Sequence, residues 1–471
     1  MQSPEMSDWR GLVNISEFVM IKKNLFGSNS LEAELESGVN YLLIWRQQAA
    51  ALVLYQLIFT DKVGNSFLNL LESITYSHKQ QKSFHCLQAY GSWFKALAEI
   101  NLGWQEYLVT RILRDENPFS QQAQQHSFNE LPQVLLDAAR WDLRMLQGLY
   151  QLDTNWLGSC LTCGDSPSPL PIVPSTWLKN LSTGLNEGEM AMHTKFATTE
   201  DWGALVKDLA AYYRQYGTGI FAEFKALRWQ SGELRGIKNP DPVKITALRG
   251  YEHQKEQLIQ NTEVLIAGYP ALNILLYGSR GSGKSSLVKG LLNQYPSSSL
   301  RLIEVAKSEL QNLPDIVEQL RDLPHKFIIF VDDLSFEEDD EAFKALKVVL
   351  EGSITARPAN VVVYATSNRR HLVREFFADR PRPKDADEVQ SWDTLQEKLS
   401  FSDRFGLTLT FEPANQDTYL EIVKHLANLA QIDIPVDNLE YQALQWATRH
   451  NGRSGRTARQ FIDFLKADLR R

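Results

Sequence analysis

Residues 275–288 read LLYGSRGSGKSSLV. An apolar run drops into a loop with three glycines, and a lysine, two serines and further apolar residues follow. Within it, Gly278-Ser279-Arg280-Gly281-Ser282-Gly283-Lys284-Ser285 fits G-x-x-x-x-G-K-[ST], the spacing of a phosphate-binding loop. Residues 273–277 read as a buried strand, and 286–292 start a helix with apolar residues at Leu287, Val288, Leu291 and Leu292. Glycines let the backbone curl until its N–H groups point at phosphate oxygens, and the helix N-terminus adds positive charge at the same place. In such a loop Lys284 reaches the β- and γ-phosphates and the Ser285 hydroxyl ligates Mg²⁺, with Ser286 next to them at the start of the helix. The plain alternative is a glycine-rich strand-to-helix turn; the strand before and the helix after weigh against it.

The 471-residue chain is long enough for two or three domains, and 43% hydrophobic with 23% charged residues is ordinary for a globular protein. A net charge of −8 provides no global basic field for nucleic acid or anionic lipid, although a local basic patch stays open. Three cysteines argue against a disulfide scaffold and fit a reducing, cytoplasmic compartment. The opening MQSPEMSDWRGL has neither a basic stretch nor an apolar core, so no signal peptide is expected. Residues 41–59 are the most apolar stretch, but Arg46-Gln47-Gln48 interrupts them, which predicts a buried helix rather than a membrane span.

Residues 1–164 read as an N-terminal helical domain. Trp93, Leu97, Ile100, Trp104 and Leu108 recur at helical spacing, as do Val134, Ala138, Trp141, Met145 and Leu149. Core packing accounts for such tryptophan stripes better than a ligand platform does. Residues 165–233 form a proline-rich linker and a second helical segment, in which DWGALVKDLAAYYRQYG and IFAEFKALRW both read as helix. From 234 to 412 the pattern alternates, with strands expected at 273–277, 300–306, 326–332, 360–366 and 407–411. This predicts a parallel α/β sheet covered on both faces. Residues 413–471 carry three helices, near 417–430, 438–450 and 454–469, as a small lid.

Four further stretches refine the site. KFIIFVDDLSFEEDD, 326–340, is an apolar strand ending in two aspartates. Asp332 is placed to hold Mg²⁺ opposite Ser285, and Asp333 to orient an attacking water. NVVVYATSNRRHL, 360–372, ends a strand with Asn368, which can hydrogen-bond that water or the γ-phosphate. FSDRFGLTLTF, 401–411, sets Arg404 just before the last strand, where a guanidinium can stabilise transition-state charge. HNGRSGRTARQFIDFL, 450–465, puts Arg456 in the first turn of the final helix, N-capped by Ser454, with Arg453 and Arg459 as competitors for the same role. Taken singly, the Asn reads equally as a turn residue and the arginines as surface charges.

The order of these motifs resembles the AAA+ ATPases: Walker A, Walker B, sensor 1, arginine finger, sensor 2. LRGYEHQKEQLIQNT, LLYGSRGSGKSSLVKGLL, VVYATSNRRHL and SDRFGL look closer still to one bacterial and plastid AAA+-like family known as a domain of unknown function. The resemblance covers about half the chain, from near residue 234 to the end. It implies a P-loop αβα domain of five strands with a helical lid, Mg-ATP in the cleft between them, and a homo-oligomer in which Arg404 acts on the neighbour's nucleotide. By analogy, residues 248–254, with Tyr251, line the adenine pocket, and the location is the cytoplasm or plastid stroma. One departure stands out: Asp333 occupies the position where the family pattern has Glu, one methylene longer.

The leading expectation is an AAA+-type ATP hydrolase that remodels a protein or nucleic-acid client, the N-terminal helices contacting a protein client. The second is a slow-turnover, ATP-gated binding or assembly module, such as a DNA-associated loader. A small-molecule kinase is a third, and the separate Asn, Arg and lid elements argue against it. Cys160 and Cys163 form a C-x-x-C that could join Cys86 and His85 in a zinc site or be ordinary thiols. The basic run 369–384 and the acidic run 385–393 could face a neighbour or an anionic substrate, or neutralise one another in a solvated loop. The basic end, 449–471, could touch DNA phosphates.

Overall fold

The computed structural model describes residues 43–80, 83–154, 157, 187–296, 299–335, 341–351, 357–368, 404–450 and 452–468. Contacts divide the chain into two compact units, Met1–Leu108 with Asp142–Lys179, and Val109–Trp141 with Asn180–Arg471. Cys160, Cys163 and the two charged runs at 369–393 lie outside the described residues. Among the described residues no helix is long and apolar enough to cross a membrane, and no three His, Cys, Asp or Glu side chains come together as a metal site.

The first unit is helical. Trp93 and Trp104 are fully buried against Phe67, with ring centroids 5.7 and 4.1 Å from it, so these tryptophans are core. The apolar stripe through them belongs to two helices, Ser83–Ile100 and Trp104–Arg114, separated at Asn101, whose φ is 53°. Ile100 is accordingly 44% exposed. In the helix Gln133–Tyr150 the buried row is Leu136, Ala139, Leu143, Leu146 and Leu149, while Val134 and Trp141 face outward. Of the expected stripe, Leu149 is buried, Ala138 and Met145 are half-buried and Val134 and Trp141 are exposed, because the buried row is turned partway round the helix from it.

In the second unit the sheet has seven strands: β1 Ala226–Gln230, β2 Glu233–Gly236, β3 Ile274–Gly278, β4 Leu300–Val305, β5 Lys326–Val331, β6 Val361–Ser367 and β7 Leu407–Phe411. Their order is β2-β1-β4-β5-β6-β3-β7, and only β1–β2 is antiparallel. The five predicted strands thus form a parallel core, extended at one edge by a hairpin. The helical reading of residues 226–230 is corrected by this hairpin. Leu227 and Trp229 are buried, Arg228 and Gln230 exposed, the period of two that defines a strand. Ser231 and Gly232, both with positive φ, make the turn.

Alternate residues of β5 feed two core layers. Phe327, Ile329 and Val331 pack with Leu313, Ile316, Leu320 and Leu346 on one face. Ile328 and Phe330 pack with Leu258, Leu265, Leu287 and Leu291 on the other. Burial on both faces explains why KFIIFV is continuously apolar. The helices Gln416–Leu429, Val436–Arg449 and Gly455–Asp468 close around a third core, with Tyr419, Val423, Ala443 and Phe461 at its centre.

Candidate functional site

The carboxyl ends of β3, β5 and β6 are neighbours in the sheet, which is where loops can converge on a ligand. The loop after β3 curls back under its own lysine. Lys284 Nζ donates to the carbonyls of Gly278 and Ser279 at 3.0 and 2.7 Å, and the Ser282 hydroxyl donates to the Ser279 carbonyl at 2.9 Å. Burial pushes the Lys284 ammonium below its ordinary range, while Asp332 and Asp333 pull it up. The loop is anchored to the outer strand, because Ser279 N–H donates to the Phe411 carbonyl at 2.9 Å. Gly283 caps the helix Lys284–Gln294.

Asp332 follows β5 directly. One of its carboxylate oxygens accepts from the Ser285 hydroxyl at 2.6 Å and from the Thr366 hydroxyl at 2.5 Å. Asp333 has a left-handed backbone, φ 51°, and its N–H donates to Thr366 Oγ1 at 3.0 Å. Asn368 Nδ2 donates to the Asp333 carboxylate at 2.6 Å. Thr366 had no sequence signal of its own. It reaches Asp332 because β5 and β6 pair in parallel with Val331 opposite Ala365, an adjacency that no local pattern reveals.

The lid meets the phosphate loop through backbone. Ser454 Oγ accepts from Thr457 N–H at 3.1 Å, capping the last helix, and Arg456 N–H donates to the Gly281 carbonyl at 3.1 Å. Gly281 has φ 76°, and a Cβ there would lie 2.9 Å from Ser454 Oγ. A cleft of about 1070 Å³ runs between sheet and lid. Its wall includes Arg280, Gly281, Ser282, Gly283, Lys284, Ser285 and Ser286, together with Asp332, Asp333, Asn368 and Arg456. Leu248, Gly250, Tyr251, Ile422 and Leu426 also line it. Tyr251, with φ 61°, packs on Phe411 and donates its hydroxyl to the Glu412 carbonyl. Of the competing lid arginines, Arg459 shares the cleft wall, whereas Arg453 bonds to Gln416 Oε1 at 3.0 Å. Arg404 does not line this chain's own cleft.

Residues 241–244 and 247–251 form part of the cleft wall. Asp241 and Val243 carbonyls accept from Asn293 Nδ2 at 3.0 and 2.7 Å, tying the segment to the phosphate-loop helix.

A parallel αβα sheet with a phosphate loop after its first core strand, a strand ending in Asp-Asp separated from it by one strand, and a three-helix lid defines the AAA+-type P-loop fold. Within that class the chain belongs to the family described as "Protein of unknown function (DUF815)", whose profile matches residues 222–469 and so includes the β1–β2 hairpin. No curated protein matches the chain. It is similar to the Thermotoga maritima RuvB Holliday junction branch migration motor at 16% identity and a TM-score of 0.35, over 49% of this chain and 66% of that one. It is also similar to the FIGL-1 AAA domain in complex with ADP, at 20% identity and a TM-score of 0.32, over 49% and 75% of the two chains. The chain thus spans slightly less than two thirds of the RuvB chain's length.

Proposed function

We propose that the protein binds Mg-ATP in this cleft and hydrolyses it to drive a change in lid position that acts on a client. The observation carrying the proposal is the convergence of Lys284, Ser285, Asp332, Asp333 and Asn368, from three strand ends, in a cleft that Leu248, Ile422 and Leu426 also line. Backbone N–H groups of 280–285 and Lys284 suit a polyphosphate, and Leu248, Ile422 and Leu426 suit a purine face. Ser285 and Thr366 hydroxyls already meet the Asp332 carboxylate, a hard-oxygen set that fits Mg²⁺. When bound, the ion neutralises charge on the phosphates. Asp333 orients the attacking water, and Asn368 fixes that carboxylate. Arg456 reaches the phosphates from the lid, and Arg404 is supplied to a neighbouring subunit's cleft, which makes the working form a homo-oligomer. The N-terminal helices are the candidate surface for a protein client.

The Asp333→Asn variant tests the chemistry. Asn tolerates the left-handed backbone, so the fold is kept while the charge is lost. Turnover should fall about 100-fold or more, with ATP affinity retained. Lys284→Ala should lose affinity itself. Arg404→Ala should remove the rise of specific activity with protein concentration. Equal turnover in wild type and Asp333→Asn would refute the assignment.

A slow, ATP-gated assembly module is favoured by one observation. Asp333 is short, left-handed and hydrogen-bonded to Asn368, so it is held before any water is positioned. Burst-limited turnover together with ATP-dependent, salt-sensitive DNA binding would select this reading.

A further inference from the structure

The last helix, Gly455–Asp468, turns two faces in different directions. Ala458, Phe461, Ile462 and Leu465 are buried in the lid core. Arg456, Arg459, Gln460 and Asp463 form the cleft wall, a row at i, i+3, i+4 and i+7. The row is held in register with the phosphate loop by the hydrogen bond from Arg456 N–H to the Gly281 carbonyl. A carboxylate is out of place in a cleft built for a polyanion unless a donor meets it. Asp332 is engaged by Ser285 and Thr366, Asp333 by Asn368, and Asp241 by the Val243 amide at 3.2 Å. Among the described residues nothing hydrogen-bonds or ion-pairs with Asp463, not even Arg459 one turn before it.

A nucleotide laid along this row, with its phosphates at the phosphate loop, sets what Asp463 meets. Seven residues at about 1.5 Å each place its Cα about 10 Å beyond that of Arg456. Helical side chains lean towards the N-terminus, which brings the carboxylate back towards the phosphate end. After the phosphates, the next part of a nucleotide is its ribose. Apolar Leu248, Ile422 and Leu426 of the same cleft are available to the base. Vicinal hydroxyls are paired donors matched to the two oxygens of a carboxylate. Resting on the reading of the cleft as a nucleotide site, we propose that Asp463 is a specificity-determining residue that accepts hydrogen bonds from the ribose hydroxyls and selects ribonucleoside over deoxyribonucleoside triphosphates.

Binding of ATP, 2′-deoxyATP, 3′-deoxyATP and inosine triphosphate to the full chain, wild type and Asp463→Asn, tests this by calorimetry. Wild type should prefer ATP over at least one deoxy analogue by about tenfold. Asp463→Asn should bind the three adenine nucleotides within about twofold of one another. Lys284→Ala should weaken all four in parallel. An unchanged ratio in Asp463→Asn, or no preference in wild type, overturns the proposal. Discrimination against inosine triphosphate alone, relieved by Asp463→Asn, also overturns it and moves the contact to the exocyclic amine. If wild type binds none of the four, the nucleotide reading fails first.

Discussion

Arg456 N–H donates to the Gly281 carbonyl, 3.1 Å away, so the lid is bonded to the middle of the phosphate loop by main chain alone. Neither residue's side chain is needed for the contact. What it requires is close approach, since a Cβ on Gly281 would come within 3.1 Å of Arg456 Cβ and 2.9 Å of Ser454 Oγ. The contact links the conformation of the loop to the N-terminus of the last helix.

Gly281→Ala follows from that contact. Alanine at φ 76° carries about 1–2 kcal/mol of backbone strain, and its methyl pushes the lid away. ATP affinity should fall about tenfold or more, and the melting temperature should drop by a few degrees. Comparing the variant's melting shift with and without Mg-ATP separates the two effects. A variant that melts early but binds ATP normally would mean that lid and loop are uncoupled.

Thr366 is the second case. Its hydroxyl is buried and bridges Asp332 to the Asp333 amide. Thr366→Val keeps the shape, removes the donor to Asp332 and leaves the Asp333 amide only its longer bond to Asp332 Oδ1 at 3.2 Å. The expected cost is about 1–3 kcal/mol in stability, read by urea unfolding, with Asp332 less well oriented. Thr366→Ser should restore most of it. ATP binding by Thr366→Val should need a higher Mg²⁺ concentration for half-saturation.

The contrast between what the sequence disclosed and what it concealed has a physical basis. Strands such as FIIFV are buried on both faces, so their apolar runs have sharp ends, and β3 to β7 lie within a residue or so of their predicted bounds. Motif order along the chain anticipated that Lys284, Asp332, Asn368 and Arg456 would meet at one cleft. Lateral relations stayed hidden. Thr366 acquires its partner from the β5–β6 register, and Gln460 and Asp463 acquire their place from the way the last helix is rotated. The β1–β2 hairpin was legible in principle through its Ser231-Gly232 turn, but Ala226–Gln230 was too short for its period to outweigh the helical run before it.

In the first unit, Asp142 is the residue most exposed to a destabilising change. Its carboxylate accepts from three successive amides, Val53 at 2.9 Å, Leu54 at 2.7 Å and Tyr55 at 3.0 Å. Asp142→Ala strands these donors and should cost about 3 kcal/mol or more. Asp142→Asn keeps one acceptor oxygen and should cost roughly half as much. Thermal melts of the full chain should show an early transition in Asp142→Ala while Mg-ATP binding is preserved. A single transition unchanged from wild type would show that the staple contributes little.

Acid sensitivity should come from two buried histidines. Burial, followed by the charge of Arg301, pushes His325 down to about 3; burial, followed by Arg114, pushes His193 down to about 4. His325 Nε2–H donates to the Tyr216 carbonyl at 2.8 Å, and among the described residues its Nδ1 has no hydrogen-bond partner, so the folded state holds the neutral ring. Above about pH 6.5 both folded and unfolded chains carry these rings neutral, and stability does not depend on them. As pH falls below that value the unfolded chain takes up protons that the folded chain refuses. Stability then declines by up to about 1.4 kcal/mol per pH unit for each ring, a loss that continues towards pH 4 for His193 and pH 3 for His325. Urea unfolding between pH 6.5 and 5, above most carboxylate titrations, isolates the effect. His325→Gln, which retains a donor for Tyr216, should be less stable at pH 7.5 yet lose about one proton's worth of slope in that window. A slope identical to wild type would mean that the ring protonates without unfolding the chain.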